Sequence, residues 1–178
     1  MSQLVILTGP IAVGKNTVAD LLAGHLTAGG HTVVVADVDD VAAMVTGGAG
    51  RVGLWFAAHE VHGALVGEWL RSAIDYVVAV GPFWMPRERA ALARSLPDGV
   101  DPLWVVLDAP VSVTMARAEA DPGRGISREP GFHRRAHGRF RAQLPTMPAD
   151  RTFDAEKLSA EQIAAAIAET LAARRPTA

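Results

Sequence analysis

Residues 9–17, GPIAVGKNT, carry the most specific chemical pattern of the chain, the spacing G-x-x-x-x-G-K. They follow the apolar run 4–8 and precede a stretch with helical periodicity, so a glycine-rich turn joins a strand to a helix. Glycines let backbone N–H groups turn inward around an anion, and a helix N-terminus adds partial positive charge. Lys15 then reaches the terminal phosphates of a nucleotide. The pattern predicts a phosphate-binding loop rather than an ordinary strand–turn–helix corner.

The residue after this lysine is Asn16, at the position where serine or threonine usually binds Mg²⁺, and Thr17 follows it. Two arrangements stay open: water, phosphates and carboxylates hold the ion, or the Asn16 amide oxygen also contributes. The residues predicted to contact the nucleotide from this loop are Gly9, Ala12, Val13, Gly14, Lys15, Asn16 and Thr17.

Three carboxylates follow the apolar run 32–36 in the sequence Asp37-Val38-Asp39-Asp40. Ligands of open α/β sheets lie beyond the carboxyl ends of the strands, so these side chains are expected to face the phosphate site. One carboxylate can orient Mg²⁺, and another can accept a proton from a hydroxyl that attacks the γ-phosphoryl group. Capping of the next helix by Asp39 or Asp40 is the alternative role.

Arginines are frequent in a Gly/Pro-rich segment, residues 121–135, which we predict to be a mobile lid. Such a lid closes over a nucleotide, excludes water and neutralises phosphoryl charge. Arg124 and Arg128 are the predicted catalytic arginines. Two later arginines are predicted to lie on a solvated helical face: Arg139 and Arg141.

Short apolar runs alternate with longer helical stretches, which indicates βαβ units and a parallel sheet covered on both faces. Strands are predicted at 4–8, 32–36, 76–80, 103–107 and 151–153. Helices are predicted at 15–28, 39–45, 54–74, 86–95, 111–120, 132–144 and 159–173. The glycine-rich residues 47–50 are predicted to interrupt helical structure. The second strand lacks alternation and is predicted to be buried on both faces. The predicted apolar stripe of the helix 54–74 consists of Leu54, Val61, Leu65 and Trp69.

Length and composition restrict the classes of protein. A chain of 178 residues with 49% apolar and 20% charged residues predicts one globular domain, 1–178. Zero cysteines exclude disulfides, thiolate catalysis and cysteine-ligated zinc. A net charge of −2 argues against a protein that coats nucleic acid. The sequence has neither a long apolar run nor a basic region before its N-terminal apolar residues, so we expect a cytoplasmic protein without a membrane span or secretory signal.

The loop and the D-x-D after the second strand together resemble the P-loop small-molecule kinases, such as shikimate kinase, gluconate kinase and chloramphenicol phosphotransferase. The resemblance implies a three-layer α/β fold with a five-stranded parallel sheet of order 2-3-1-4-5, and the use of ATP and Mg²⁺. In the shikimate kinase pattern the first aspartate serves the metal and the second lies at the substrate hydroxyl, which selects Asp37 and Asp39. The V-D-S-L segment of chloramphenicol phosphotransferase matches residues 38–41 and again selects Asp39 as the base.

The resemblance extends to the lid and the C-terminal segment. It implies that Arg117 packs on adenine and that Arg124, seven residues later, reaches the phosphates. Asp154 ends the last strand, before a loop that lines the adenine. The acceptor pocket is then built by the insertion 41–71 and by the end of the third strand.

The acceptor side departs from the shikimate kinase pattern, because the third strand ends without a glycine triplet. No Asp or Glu ends that strand either, so an ATPase-type Walker B acid is missing. Phe83 and Trp84 follow that strand and either border the cleft or belong to the core, and Trp69 is predicted to be core. His59 and His62 are expected to contact substrate or to lie on a solvated face, and a metal site there is not expected.

The first functional hypothesis is an ATP-dependent kinase that phosphorylates a hydroxyl of a small metabolite or antibiotic. The alternatives are a nucleoside or nucleotide kinase, a polynucleotide 5′-hydroxyl kinase, and a nucleotide-binding regulatory module without catalysis. We expect a small-molecule partner rather than nucleic acid or a membrane, and a monomer or homodimer.

Overall fold

The computed structural model describes residues 2–46 and 54–174. The glycine-rich interruption of helical structure predicted at 47–50 lies outside the described residues. The strands are β1 (Gln3–Thr8), β2 (Val33–Asp37), β3 (Tyr76–Val80), β4 (Leu103–Asp108) and β5 (Arg151–Asp154). The helices are α1 (Lys15–Ala28), α2 (Val38–Ala43), α3 (Trp55–Arg71), α4 (Pro86–Ala93), α5 (Val111–Ala120), α6 (Pro130–Gln143) and α7 (Ala160–Ala173). Short 3₁₀ turns cover Ile126–Arg128 and Leu144–Thr146.

The five strands form one parallel sheet in the order β2-β3-β1-β4-β5, which confirms the predicted topology. The central strand β1 sends alternate side chains to opposite faces. Val5 and Leu7 pack with residues of α1 and α7, whereas Leu4 and Ile6 pack with residues of α3 and α4. This gives the predicted three layers, and it leaves the carboxyl ends of all five strands at one edge. None of the described helices is long and apolar enough to cross a membrane.

Helix α7 begins as its sequence predicts. The Ser159 hydroxyl accepts a hydrogen bond from Gln162 N at 3.2 Å, and Ser159 N donates to Gln162 Oε1 at 2.9 Å. This reciprocal pair is a capping box, which satisfies two otherwise unpaired amides of the first turn.

Two expectations about burial are wrong. Strand β2 lies at the edge of the sheet, so its side chains are less covered than predicted, and Val35 is 38% exposed. The predicted apolar stripe of α3 faces solvent instead of the core. The buried face of α3 includes Gly67, where a Cβ atom would stand only 2.2 Å from the Ser95 carbonyl oxygen. The face of α3 that carries Gly67 therefore lies directly against the chain just after α4.

Candidate active site

The loop between β1 and α1 has the backbone of an anion cradle. Gly9 (φ 156°), Ala12 (φ 59°) and Gly14 (φ 105°) take positive φ values, which turn the chain sharply around the helix N-terminus. A Cβ atom on Gly9 would lie 2.5 Å from the Leu107 carbonyl oxygen, so only glycine fits there. The cap residue of α1 is Gly14, and no side chain caps the helix. The first amides of α1 are therefore available to a phosphate group.

Lys15 begins α1 and its ammonium group bends back over the loop. Its Nζ donates to the carbonyl oxygens of Gly9 at 3.3 Å and Pro10 at 3.1 Å. Burial lowers the pKa of Lys15, and the carboxylates of Asp39 and Asp37 oppose this effect. The two acids therefore lie close enough to the phosphate loop to act on the charge of its lysine.

Asp37 ends β2 and joins the phosphate loop to α2. Its Oδ1 accepts a hydrogen bond from Asp39 N at 2.8 Å and caps α2, while its Oδ2 accepts from Asn16 Nδ2 at 2.6 Å. Burial raises the pKa of the Asp37 carboxyl and outweighs these two hydrogen bonds. The cap of α2 is thus Asp37, not Asp39 or Asp40. Asn16 uses its amide nitrogen in the bond to Asp37, so its amide oxygen takes no part in that bond.

Asp39 is in the first turn of α2, and its side chain is exposed at the carboxyl edge of the sheet. Its charge is the largest of those that favour the protonated form of Lys15. Asp40 is also exposed, but it is not among the groups that shift the pKa of Lys15. This electrostatic contact separates Asp39 from its neighbour.

Arg117, predicted to pack on adenine, is bonded to two backbone carbonyl oxygens. Its Nη1 donates to Val13 O at 3.0 Å and its Nη2 donates to Ala155 O at 2.8 Å. The guanidinium group therefore joins the phosphate loop to the turn between β5 and α7. Asp154 shapes that turn, because its Oδ1 accepts from Glu156 N at 3.0 Å.

The two predicted lid arginines have different surroundings. Arg124 Nε lies 3.1 Å from Asp121 Oδ2, and the positive charge of Arg124 is among the causes that lower the pKa of Lys15. Arg128 belongs to the 3₁₀ turn, and its Nη2 lies 3.4 Å from Glu119 O at the end of α5. Of this pair, Arg124 is the one whose charge affects the pKa of Lys15.

The aromatic residues after β3 pack in the core. Phe83 is fully buried and Trp84 is 7% exposed, so of the two alternatives the structure supports the core. Trp84 Nε1 donates to Gly9 O at 3.1 Å, and Phe83 N donates to Thr8 Oγ1 at 3.2 Å. These bonds hold the β3–α4 connection against the phosphate loop. Trp69, predicted as core, is 38% exposed.

His59 and His62 are buried against Phe83. The alternative that they lie on a solvated helical face is therefore wrong for both residues. His62 Nε2 donates to Ala36 O at 2.9 Å, and His59 Nδ1 donates to Trp55 O at 3.0 Å. A carbonyl oxygen only accepts, so each of these two ring nitrogens carries a proton. Neither His59 Nε2 nor His62 Nδ1 has a partner in the described part of the chain. Burial lowers the pKa of His62.

Sequence reasoning missed several polar contacts around the site. Arg141, predicted to be solvated, forms an ion pair with Asp108 at 2.6 Å and holds α6 to the end of β4. Arg89 donates to the carbonyl oxygens of Phe83 and Trp84. No sequence pattern indicated these pairs, because their partners are distant in the chain or belong to the backbone.

A phosphate cradle at the end of a central parallel strand, with acids at a neighbouring strand end and an arginine-bearing segment nearby, defines the class of P-loop kinases. A family model described as an AAA domain matches residues 4–144, and the chain belongs to this family. The resemblance to P-loop small-molecule kinases is thereby confirmed. No curated protein matches the sequence.

Solved structures of this class share the fold. The tunicamycin resistance protein of Deinococcus radiodurans is 18% identical with a TM-score of 0.65, and the match covers 96% of each chain. Shikimate kinase from Acinetobacter baumannii, in complex with shikimate, is 19% identical with a TM-score of 0.64 over 99% of this chain and 97% of that one. APS kinase from Mycobacterium tuberculosis, in complex with AMPPNP and APS, is 19% identical with a TM-score of 0.66 over 96% and 98%.

Proposed function

We propose that this protein transfers the γ-phosphoryl group of ATP to a hydroxyl group of a small molecule, a metabolite or an antibiotic. The observation that carries this proposal is the contact between the phosphate loop and the acids after β2. Asp37 is bonded to Asn16 of the loop, and Asp39 lies close enough to Lys15 to affect its pKa. Carboxylates beside a glycine-rich loop support this proposal, because phosphoryl transfer to a hydroxyl uses a proton acceptor next to the bound phosphates.

The nucleotide is held by backbone amides and by the side chains of one lysine and three arginines. The uncapped amides of α1 and the Lys15 ammonium bind the β- and γ-phosphates, and Thr17 lies in the same first helical turn. Arg117 packs on the adenine, where it already bridges the phosphate loop and the turn after β5. The lid arginines Arg124 and Arg128 then neutralise charge on the transferred group.

The residues after β2 also fit a magnesium ion. Asp37 is a buried carboxylate whose pKa is raised by burial, so a nearby cation would favour its charged form. Asp37 and the Asn16 amide oxygen would hold Mg²⁺, directly or through water. The described residues contain no group of three or more His, Cys, Asp or Glu side chains that could hold a metal. Phosphates and water would complete the shell, as is usual for Mg²⁺, and the ion would neutralise phosphate charge.

Asp39 accepts the proton of the acceptor hydroxyl in this proposal. The hydroxyl oxygen forms a bond to the γ-phosphorus, and the bond from that phosphorus to the oxygen bridging it to the β-phosphate breaks. ADP carries away the electron pair of the broken bond. The exposed position of Asp39 at the carboxyl edge leaves its carboxylate open to an incoming acceptor.

Exposed apolar side chains support an acceptor with an apolar part, as in chloramphenicol phosphotransferase. They lie at the ends of the helices that border the acceptor side: Met44 after α2, Leu54 before α3 and Met85 before α4. A strongly hydrated sugar would gain little from such surroundings, because burial of apolar surface needs an apolar partner.

One contact favours a nucleoside or nucleotide kinase as the second candidate. The Arg87 guanidinium lies 4.0 Å from the centroid of the Phe56 ring, where α4 and α3 begin. An arginine held over an aromatic ring near the acceptor side can bind a phosphate group. The Gly-Pro start of the loop and the G-K-x-T order of residues 14–17 agree with this candidate.

The test is ADP release from ATP and Mg²⁺ with a panel of acceptors: nucleosides, nucleotides, 5′-hydroxyl oligonucleotides, sugars and aromatic hydroxylated antibiotics. We expect release that depends on a hydroxylated small molecule and disappears when EDTA removes the metal. A response to nucleoside monophosphates alone would instead establish the second candidate. ATP binding without any acceptor-dependent release, also with a cell extract as acceptor, would contradict both and indicate a regulatory module.

A further inference from the structure

His133 is a fully buried polar side chain that joins three elements near the lid. It lies in the first turn of α6, and its Nδ1 is 2.9 Å from the carbonyl oxygen of Ser127 in the 3₁₀ turn. Its Nε2 is 2.9 Å from the Thr114 hydroxyl oxygen in α5, and Thr114 is also fully buried. One imidazole ring thus connects the lid turn to two helices that pack beneath it.

The partners of the ring fix its tautomer. The Ser127 carbonyl oxygen only accepts, so Nδ1 carries the proton and donates to the lid. In the neutral ring, Nε2 then accepts a hydrogen bond from the Thr114 hydroxyl. The two nitrogens therefore differ in their roles, since Nδ1 holds the lid turn and Nε2 fixes the ring against α5.

The bond to Ser127 acts on the next residue of the chain. A carbonyl oxygen and the following amide nitrogen belong to one planar peptide unit, so a bond that fixes Ser127 O also fixes Arg128 N. Arg128 N donates to Gly125 O at 3.2 Å, which holds the other end of the turn. The orientation of this peptide sets the direction in which the Arg128 side chain leaves the turn.

Arg124 provides an internal comparison. Its guanidinium is paired with Asp121, and its backbone amide donates to Asp121 O at 3.2 Å, so its contacts lie within the lid. No contact of His133 reaches Arg124 among the described residues. A change at His133 therefore acts on Arg128 and leaves Arg124 in place.

We propose that His133 is a positioning residue, which holds the Ser127–Arg128 peptide so that Arg128 reaches the γ-phosphate of the bound nucleotide. This inference rests on the proposed function, because it assigns Arg128 a role in phosphate binding. His133 itself contacts no substrate, since it is completely covered by α5, α6 and the lid turn.

Two substitutions separate the roles of the ring nitrogens. His133→Asn places an amide N–H near the position of Nδ1 and keeps a donor for Ser127 O. His133→Gln places its amide near the position of Nε2, keeps a partner for Thr114 and loses the donor to the lid. We expect His133→Gln to lower kcat/KM for ATP about tenfold, the effect of one hydrogen bond at the upper end of its usual range. His133→Asn restores most of that loss.

A double-mutant cycle with Arg128→Ala shows whether His133 acts through that arginine. We expect no further loss in kcat/KM for ATP when His133→Gln is added to Arg128→Ala, because residues that act as one unit are not additive. An additive loss, or equal losses in His133→Asn and His133→Gln, would overturn the positioning role and leave only a packing role. Thr114→Val is the control, since it removes the Nε2 partner and leaves the bond to the lid.

Limited proteolysis tests the inference without phosphoryl transfer. We expect His133→Gln, but not His133→Asn, to increase the rate of tryptic cleavage after Arg128 and to leave cleavage after Arg124 unchanged. Circular dichroism confirms that each variant is folded. Unchanged cleavage after Arg128 in folded His133→Gln would refute the inference. Absence of acceptor-dependent ADP release with altered cleavage would refute the proposed function alone.

Discussion

The nucleotide side and the acceptor side of the site are built differently. On the nucleotide side, polar side chains hold backbone groups of distant segments, as Arg117 does with Val13 and Ala155, and Trp84 with Gly9. On the acceptor side, His59 and His62 each have a ring nitrogen without a partner among residues 2–46 and 54–174, and exposed methionines border the helix ends. In the proposed function, phosphate binding therefore depends on backbone geometry, and acceptor choice depends on a few side chains of α3, α4 and their ends.

On the nucleotide side, the largest effect is expected for Lys15→Met. Loss of this ammonium group removes a cation from the developing phosphoryl charge, and we expect kcat to fall by about 10²- to 10³-fold. Steady-state ADP release measures the loss. Lys157→Met is the matched control, because Lys157 is the second lysine of the chain and pairs with Asp154 at 3.0 Å. Equal losses in the two variants would contradict the assigned role of Lys15.

Gly9→Ala tests the backbone of the nucleotide side. The new Cβ atom meets the Leu107 carbonyl oxygen at 2.5 Å, so we expect the free energy of unfolding to fall by about 1–3 kcal/mol, the range of overpacking. ATP affinity falls with it. Urea unfolding and isothermal calorimetry measure the two effects.

Gly24→Ala is the control for that substitution. Gly24 is in α1, where an added methyl group would meet no other atom, and we expect alanine to stabilise the helix by about 0.5–1 kcal/mol. If Gly24→Ala lowered the free energy of unfolding as much as Gly9→Ala does, the effect at Gly9 would not come from its close contact with Leu107.

Gly67→Ala makes the same kind of change on the acceptor side. A Cβ atom there would lie 2.2 Å from the Ser95 carbonyl oxygen and would push α3 away from the end of α4. We expect the KM for the acceptor to rise several-fold while ATP affinity stays within about twofold, since distant sites behave independently. Gly138→Ala in α6 is the control, with open space around its added methyl group. A matching loss of ATP affinity would show that the two sides are coupled.

The smallest effect is the pH dependence that His62 gives to stability. Burial lowers its pKa, so below about pH 6.5 the unfolded chain takes up a proton that the folded protein resists. This group therefore costs no stability above the pKa of the unfolded chain, and the free energy of unfolding decreases as the pH falls below that pKa. Urea unfolding between pH 7.5 and about pH 5.5 measures the slope. His62→Phe should flatten it; an unchanged slope would assign the dependence to other groups.

Local sequence signals predicted the phosphate loop and the capping box of α7, because short-range geometry determines both. The strand order followed from resemblance to known kinases. The buried face of α3 could not be predicted, because apolar residues occur on both of its faces and Gly67, which lies against Ser95, adds nothing to an apolar pattern. His133 gave no signal either, since one of its partners, Thr114, lies in a different helix.

The measurement that tests the central claim most directly compares Asp39→Asn with Asp40→Asn. Each variant loses one exposed carboxylate of α2. Of these two carboxylates, Asp39 affects the pKa of Lys15 and Asp40 does not. With the best acceptor of the panel, we expect Asp39→Asn to lower kcat by about 10²- to 10⁴-fold, the usual contribution of a general base, and to leave ATP affinity unchanged. Asp40→Asn should retain its activity. Mass spectrometry of the acceptor shows the added phosphoryl group. Full activity of Asp39→Asn would contradict the proposed transfer mechanism.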